Sequence, residues 1–223
     1  VHCSAGSVND DVSMAFMFSS PYLKPGCDAY LAKAVKEQVS IPVETVSGIN
    51  QPDVAEALIA DGTADFIATA RSFIADPEWG IKALEGRDDD IRPCIKCLRC
   101  LEYATYNTGT SECTVNARRV LPREMPVSEL KSRKKKVVVV GGGAAGMNAA
   151  HELGSKGHEV VLYEQRDTLG GILDFADHIS FKRDIKRYRE YLKYQVNKNE
   201  NVTVKLGQKA TSETVISEQA DAV

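Results

Sequence analysis

The sequence predicts an α/β protein with two sheet-forming parts and a cysteine-rich segment between them. Residues 1–92 alternate short β-branched runs with helix-like runs, as parallel sheets covered by helices do. Residues 134–223 open on a valine-rich run, a glycine turn and a helix-like run, a pattern that favours a second parallel sheet. Residues 93–133 carry four cysteines and a basic run without a clear period. We therefore expect three segments with these bounds.

The composition is that of an ordinary globular protein and narrows the classes of partner. Of the 223 residues, 43% are hydrophobic and 26% are charged, and the formal net charge is −3. This balance argues against nucleic-acid or anionic-membrane partners. No apolar run approaches the roughly 18 residues of a membrane span, and no signal-peptide pattern is present. We expect a cytoplasmic chain with reduced thiols, and a fragment of a longer polypeptide because it ends on a strand-like run, ADAV.

Segments in the first part are predicted from periodicity and from proline and glycine positions. Strands are expected at IPVETVSG and ADFIATA. A helix over PDVAEALIADG has Pro52 in its first turn and Gly62 past its end, and a helix over DPEWGIKALEG stops at Gly86. In the helix over GCDAYLAKAVKEQVS, the spacing predicts one shared face for Tyr30, Leu31, Ala34, Val35 and Gln38.

The second part contains a long amphipathic run and three strand-like runs. KVVVV and VVLYE flank the glycine turn and its helix, and VTVKLG follows later. In FKRDIKRYREYLKYQV, the spacing predicts a helix whose apolar face is formed by Phe181, Ile185, Tyr188, Leu192 and Val196. Residues 114–136, with two prolines and the basic run KSRKKK, are expected to be a connector.

Four cysteines form the most specific chemical signal. Cys94, Cys97 and Cys100 are each separated by two residues, and Cys113 follows after twelve more. The C-x2-C-x2-C run lets three thiolates converge within one turn, which is typical of iron–sulfur ligation. Structural zinc more often uses two separated C-x2-C pairs, which this sequence lacks. A zinc site and free thiols stay open as alternatives to the cluster. Cys3 and Cys27 lie far from this group and are expected to be ordinary thiols.

The glycine turn indicates a dinucleotide site. Gly141, Gly143 and Gly146 form G-x-G-x-x-G between a predicted strand and a predicted helix. Glu164 ends the following strand, where a carboxylate can accept hydrogen bonds from ribose hydroxyls. A phosphate would then lie at the helix N-terminus, where free N–H groups favour negative charge.

Two loops of the first part are candidates for holding a phosphate. Gly48 and Arg71 follow consecutive predicted strands, and phosphate sites often lie after neighbouring strands of a barrel. An ordinary loop glycine and a surface ion pair are the alternatives. His2 lies at the end of the first strand, where a structural role is favoured over a catalytic one.

Five stretches in this order carry a resemblance to a known family: IPVETVSGIN, ADFIATARSFIADPEW, IRPCIKCLRC, CTVNARR and VVVVGGGAAGM…VVLYEQRDTLGG. Together they resemble the iron–sulfur flavoenzymes of the NADH:flavin oxidoreductase group, which includes 2,4-dienoyl-CoA reductase, 2-enoate reductase, trimethylamine dehydrogenase and bile-acid Δ4-reductases. The likeness covers nearly all of the chain. The cysteine spacing is similar to that of the trimethylamine dehydrogenase branch.

The resemblance implies a fold and a set of cofactor residues. Residues 1–92 would be the C-terminal part of an FMN-binding (β/α)8 TIM barrel, and residues 134–223 the start of a Rossmann-like domain that binds FAD. The four cysteines of residues 93–133 would hold a [4Fe–4S] cluster. The residues implied to contact the FMN phosphate are Gly48, Ala70 and Arg71. Those implied to contact FAD are Gly141, Gly143, Ala145, Gly146, Glu164, Gly170 and Gly171.

The resemblance also implies a reaction. NAD(P)H would reduce FAD, the cluster would pass single electrons to FMN, and FMN would deliver hydride to an activated C=C bond of an enoate, a dienoyl-CoA thioester or an unsaturated steroid. An amine dehydrogenase of the same family and a non-catalytic zinc- or cluster-binding module are the alternatives. The usual proton donor of the family lies outside this sequence, so we expect the chain alone to be inactive. A homo-oligomer is compatible with the resemblance.

Overall fold

The computed structural model describes residues 1–106, 111–119 and 133–223. It divides the chain into two compact units, Val1–Leu121 and Pro122–Val223. The cysteine segment therefore belongs mainly to the first unit. Most of the connector predicted over 114–136 lies outside the described residues.

The first unit is an α/β arrangement around a three-stranded parallel sheet in the order β1-β2-β3. Its helices and strands are β1 (His2–Cys3), α1 (Asp11–Met17), α2 (Ala29–Lys36), β2 (Glu44–Thr45), α3 (Pro52–Ala60), β3 (Phe66–Ile67), α4 (Ala70–Ala75), α5 (Trp79–Leu84) and α6 (Arg99–Tyr106). Short 3-10 turns lie at Asp88–Asp90 and Ala117–Arg119. The predicted parallel α/β organisation is confirmed.

Local sequence signals explain where several of these helices begin and end. Pro52 occupies the first turn of α3, and Gly62 follows its end with φ +75°. Gly86 follows α5 with φ +66°, a left-handed conformation that a glycine adopts without strain. Asp10 caps α1 by accepting a hydrogen bond from the Ser13 backbone N–H at 2.8 Å. The ends of α3 and α5 agree with the sequence-based ones to within a turn, and no helix is predicted at the position of α1.

The core of the first unit is formed by small side chains between α2 and the sheet. Cys3 packs there with Ala32, Val43 and Ala64, and Val35 contacts the group. The face predicted for this helix is wrong in part, because Tyr30, Ala34 and Gln38 are exposed. A run that alternates alanines with lysines supports two apolar faces, and the sheet selects the smaller alanines because they permit close approach.

The strands of this sheet are shorter than the β-branched runs that predicted them. Only Glu44–Thr45 of the IPVETVSG run and Phe66–Ile67 of the ADFIATA run are paired. Phe66 is exposed, so the ADFIATA strand, whose apolar run suggests a buried strand, is open to solvent on one side. Within the described residues β3 pairs with β2 alone, which leaves its far edge uncovered.

The second unit contains a parallel sheet in the order β4-β5-β6. Its elements are β4 (Lys136–Val140), α7 (Ala144–Ser155), β5 (Glu159–Tyr163), α8 (Arg183–Asn197), β6 (Val202–Lys205) and α9 (Ser212–Ser217), with 3-10 turns at Gly171–His178 and Ser180–Lys182. Beside β4, Ala222 forms a parallel bridge with Val137, where the sequence predicts a further strand. The β-α-β order of a Rossmann-like unit is thus present.

The faces of α7 and α8 close the core of this unit. Tyr188, Leu192 and Val196 are buried along α8, as the periodicity predicts, whereas Ile185 is half-buried and Phe181 lies before the helix in a 3-10 turn. On α7, Met147 and Ala150 are buried. The opposite sheet face packs residues of β4 and β5 against the segment around α9. Among the described residues, no helix has the length and apolar character needed to cross a membrane.

Candidate functional site

A cavity of about 270 Å³ opens in the first unit beside the carboxyl ends of its strands. Carboxyl ends of parallel strands are where ligands bind in α/β folds. Every residue of this unit that the sequence suggests for FMN lines the cavity, as does one cysteine of the predicted cluster. Its lining includes His2, Gly48, Ala70, Arg71, Cys94 and Lys96.

The loop after β2 brings bare backbone to the cavity. Gly48 has φ +64°, and a Cβ atom at this position would lie 2.7 Å from Ser19 Oγ. Ser47 is also left-handed, with φ +87°, and its hydroxyl donates to the buried carboxylate of Asp28. A side chain at position 48 is disfavoured both by the left-handed backbone angle and by the close approach to Ser19. This is the cradle expected where backbone N–H groups approach a phosphate.

The loop after β3 is tied to the loop after β2 by side-chain hydroxyls. The hydroxyls of Thr69 and Ser72 donate to the carbonyl of Ile49, the latter at 3.3 Å. Arg71 Nη1 donates to the Ser19 carbonyl at 3.0 Å, which holds the guanidinium at the cavity wall. A guanidinium held in this way keeps further N–H donors available for an anion.

His2 lies at the rim of the cavity, opposite β2. Its Nδ1 is hydrogen-bonded to the carboxylate of Glu44, with which it is in register across the sheet. The His2 side chain is 53% exposed. This pairing fits the structural role that the sequence favours. A catalytic role for His2 stays a prediction, because His2 also lines the cavity.

The cysteine segment folds tightly around its own thiols. Between the cysteines, Lys96 and Leu98 adopt left-handed conformations with φ +53° and +62°. The Lys96 backbone N–H donates a hydrogen bond to Cys94 Sγ at 3.4 Å. An N–H group aimed at a cysteine sulfur stabilises a thiolate, and such bonds tune iron–sulfur sites.

A return segment at residues 111–119 brings the fourth cysteine to the first three. Arg99 Nη2 forms an ion pair with Glu112 at 3.2 Å, and the Ser111 hydroxyl donates to the Cys100 carbonyl at 3.1 Å. Cys97 Sγ lies 3.2 Å from Thr114 Oγ1. Contacts before and after Cys113 thus hold residues 111–114 against the C-x2-C-x2-C run, and the role of Cys113 as fourth ligand stays a prediction.

The thiols influence one another electrostatically. Burial raises the pKa of Cys94 to about 11; the Lys96 N–H and the Arg71 charge lower it, and Cys97 and Cys100 raise it further. Burial also raises the pKa of Cys100, as do Cys97 and Cys113. A bound metal would displace the protons of these thiols, because it stabilises the thiolate form.

The donor set is chemically suited to a soft, multinuclear metal group. All four candidate ligands are sulfur atoms. The pKa values of Cys94 and Cys100 are each raised by two other cysteines of this group. Among the described residues, no three His, Cys, Asp or Glu side chains are arranged to hold one metal ion. The assignment of these cysteines to a cluster remains a prediction.

In the second unit, the glycine turn between β4 and α7 is packed so closely that side chains are excluded. A Cβ atom on Gly146 would lie 1.8 Å from the Gly141 carbonyl oxygen. Gly141 has φ +100°, and Gly143 is the extended residue before α7. Ala145 lies exposed in the first turn of that helix. The sequence thus leaves bare backbone at a helix N-terminus, which suits a pyrophosphate.

The second glycine pair lies directly against the first turn. Gly170, with φ +136°, donates its N–H to the Gly142 carbonyl at 2.9 Å. A Cβ atom on Gly171 would lie 2.9 Å from the Gly143 Cα. The structure therefore brings together the two glycine sets that the resemblance assigns to one nucleotide.

Glu164 follows β5 and is buried beside the glycine turn. Its Oε2 accepts a hydrogen bond from the Gly142 N–H at 2.7 Å, and its Oε1 accepts one from the Arg166 N–H at 2.9 Å. Burial alone would raise its pKa, but these donors lower it below its usual range. Each oxygen of an ionised carboxylate can accept a second bond, so the predicted ribose contact is compatible with this geometry.

Two residues of these sites are missed by sequence reasoning. Lys96 is almost fully buried, although lysine between two cysteines reads as a solvated residue. Gly142 is the middle glycine of the triplet, and a Cβ atom there would lie 2.4 Å from Leu169 Cδ2. Gly142 could have been found in the sequence, because it fills the free position of the G-x-G motif with a glycine that the motif itself does not require.

Family models match parts of both units of the chain. Residues 24–90 match the NADH:flavin oxidoreductase / NADH oxidase family. Residues 139–185 match the NAD(P)-binding Rossmann-like domain. The chain belongs to the NADH:flavin oxidoreductase / NADH oxidase family.

Similar proteins are longer than this chain. An NADH oxidase of Thermoanaerobacter brockii is 42% identical over 226 residues, which span 100% of this chain and 34% of that protein. The structure of a 2-naphthoyl-CoA reductase has a TM-score of 0.80 at 31% identity, over 91% of this chain and 31% of that one. Histamine dehydrogenase from Rhizobium sp. 4-9 has a TM-score of 0.81 at 31% identity, over 92% and 30%. The chain thus spans about a third of the length of these relatives.

Proposed function

We propose that the chain is the central segment of an NAD(P)H-dependent flavin and iron–sulfur oxidoreductase that reduces an activated C=C bond. The substrate class would be an enoate, a dienoyl-CoA thioester or an unsaturated steroid, in a cytoplasmic enzyme. The similarity to a 2-naphthoyl-CoA reductase supports reduction of an unsaturated acyl-CoA. When bound, FAD would accept electrons from NAD(P)H, the [4Fe–4S] cluster would carry them singly, and FMN would deliver hydride to substrate.

One observation carries this proposal: residues of the cysteine segment line the candidate flavin cavity. Cys94 lines the cavity together with Gly48 and Arg71. The Asn50 side-chain amide donates to the Cys94 carbonyl at 2.8 Å, which fixes the two parts against each other. The charge of Arg71 lowers the pKa of two cysteines, so this residue acts on both sites.

Each residue set has a separate task in the proposed enzyme. Gly48, Ala70 and Arg71 would bind the FMN phosphate, because they combine bare backbone with a fixed cation at the end of the sheet. The four cysteines would bind the cluster as deprotonated thiolates. Because Cys94 lines the cavity, a cluster bound there would adjoin the flavin site, and single-electron transfer does not require the two flavins to be in contact.

The second unit would hold FAD by the same kind of backbone contact. Gly141, Gly143, Ala145 and Gly146 would face the pyrophosphate at the start of α7. Glu164 would accept hydrogen bonds from ribose hydroxyls through the lone pairs that Gly142 and Arg166 leave available. Gly170 and Gly171 would keep the second loop close enough to cover the nucleotide.

A second candidate function is amine oxidation with electrons leaving through the cluster. The similarity to histamine dehydrogenase favours it, because that likeness covers as much of the chain as the reductase likeness does. The same cavity and cysteine segment would serve either direction of electron flow.

The direction can be tested by anaerobic steady-state kinetics of the full-length protein. NADH or NADPH oxidation would be followed with cinnamate, a dienoyl-CoA and a 4-ene steroid as oxidants. In parallel, histamine and trimethylamine would be supplied with an artificial one-electron acceptor. Consumption of NAD(P)H that depends on an unsaturated substrate supports the reductase. Amine-dependent reduction of the acceptor without such consumption would replace it with the second candidate.

A further inference from the structure

Lys96 occupies an unusual place between two cysteines of the predicted cluster. It is 1% exposed, and its backbone is left-handed with φ +53°. Burial of an ammonium and a left-handed conformation at a non-glycine residue both cost free energy. A side chain retained under two such costs is held in one direction by its surroundings.

The Lys96 side chain lies against the candidate flavin cavity. Lys96 lines the cavity, and its Cε lies 3.4 Å from the point where a Cβ atom on Gly48 would stand. Gly48 is the residue whose bare backbone forms the phosphate cradle. The lysine side chain therefore ends beside that cradle, on the side of the cavity nearest to the cysteines.

The charge lining the cavity is one-sided. Among the described residues that line it, Arg71 and Lys96 are the arginine and lysine side chains, and none is an aspartate or glutamate. A phosphate monoester carries a charge of about −1.5 to −2 at neutral pH. Two cations match that charge, whereas Arg71 alone would leave part of it uncompensated.

We propose that Lys96 is a phosphate-binding residue that makes this cavity selective for a phosphorylated flavin over its unphosphorylated form. This rests on the proposed function, since it takes the cavity as the FMN site. Lys96 donates its backbone N–H to Cys94 Sγ, and its side-chain Cε lies beside the Gly48 cradle. One residue thus joins the flavin phosphate to the first cluster ligand.

The inference is tested by comparing FMN with riboflavin in the full-length protein. Flavin-depleted wild type, Lys96→Gln and Lys96→Arg would be titrated with each flavin and followed by flavin fluorescence. The Lys96→Gln variant loses one charge-assisted hydrogen bond, so it should bind FMN about tenfold to a hundredfold more weakly than the wild type. Riboflavin affinity should stay within about twofold, and Lys96→Arg should restore most of the FMN affinity.

Iron content and FAD content of each variant show whether the segment and the second unit are intact. If Lys96→Gln loses iron, Lys96→Gly decides, because glycine suits the left-handed backbone and removes only the side chain. Unchanged FMN affinity, or an equal loss for FMN and riboflavin, overturns the role of Lys96. Failure of the wild type to bind FMN overturns the proposed function itself and the inference with it.

Discussion

The side-chain amide of Asn50 donates a hydrogen bond to the carbonyl of Cys94 at 2.8 Å. Asn50 lies in the loop after β2, and Cys94 opens the cysteine segment. The bond therefore joins the loop that forms the phosphate cradle to the loop that forms the predicted cluster site. Asn50 is 2% exposed, so water cannot readily replace it as a donor.

Replacing Asn50 with alanine should weaken both sites of the first unit together. The Cys94 carbonyl would lose a buried donor, at a cost of about 1–3 kcal/mol. We expect FMN and iron contents to fall in parallel, while FAD content stays near that of the wild type. Gln51→Ala is the matched control, because the neighbouring Gln51 makes no capping hydrogen bond. A fall in FAD alone would contradict the link.

Cys97→Ser should interrupt electron passage without removing the flavins. Serine oxygen is a poor ligand for a soft metal group, so iron content should drop and NAD(P)H-driven turnover should fall by about a hundredfold. Turnover driven by direct chemical reduction of FMN should persist, since the flavin cavity does not include Cys97.

The control for this variant is Cys3→Ala. Cys3 is buried in the core beside α2 and lies far in sequence from the four ligands, so its replacement should leave iron content unchanged. NAD(P)H-driven turnover retained in Cys97→Ser would show that the cysteines are not part of the electron path.

Gly146→Ala should abolish FAD binding. The new Cβ atom would meet the Gly141 carbonyl oxygen at 1.8 Å, so α7 must move away from β4, which we expect to destabilise the unit by about 3 kcal/mol. FAD content by extraction and thermal unfolding would show both effects. Ala149→Ser, on the exposed side of the same helix, should keep FAD. Full FAD occupancy in Gly146→Ala would refute the assigned nucleotide site.

Glu218 should make the stability of the second unit sensitive to acid. It accepts hydrogen bonds from Lys205 and Tyr163 and pairs with Lys136 at 2.8 Å, and these partners lower its pKa from 4.5 to about 2. Because the folded-state pKa is depressed, this stabilisation is complete above about pH 4.5 and disappears as the pH falls toward 2.

Glu218→Gln should therefore lower Tm by about 2–4 °C at pH 7 and by less at pH 3. Differential scanning of the full-length protein at both pH values measures this difference. Glu213→Gln, on the exposed first turn of α9, should change Tm little at either pH. An equal Tm difference at pH 7 and pH 3 would assign the effect to packing instead of charge.

Sequence reasoning succeeds where one strong physical requirement determines the pattern. The apolar face of α8 is clear because apolar residues recur at helical spacing, and Tyr188, Leu192 and Val196 are buried as expected. The G-x-G-x-x-G turn is equally clear, since Gly146 leaves no room for a single methyl group. The parallel order of both sheets follows from the alternation of strands and helices.

It fails where tertiary packing chooses between equal options. In α2 the alanine-rich sequence offers two faces, and the sheet takes the one with Ala29 and Ala32. Burial of Lys96 depends on a cavity built from loops distant in sequence, which no local pattern records. The carboxylate of Glu164 is also bonded to Gly142, a contact that the motif alone does not predict.

The central claim is that four cysteines hold an iron–sulfur cluster beside a flavin site, and an anaerobic absorption spectrum of the full-length protein, with iron, sulfide, zinc and flavin assays, tests it most directly. We predict a broad brown absorption under flavin peaks, with about four irons and four sulfides per chain. Stoichiometric zinc without sulfide would give the cysteines a structural role. A metal-free, colourless protein would contradict both the cluster and the proposed oxidoreductase.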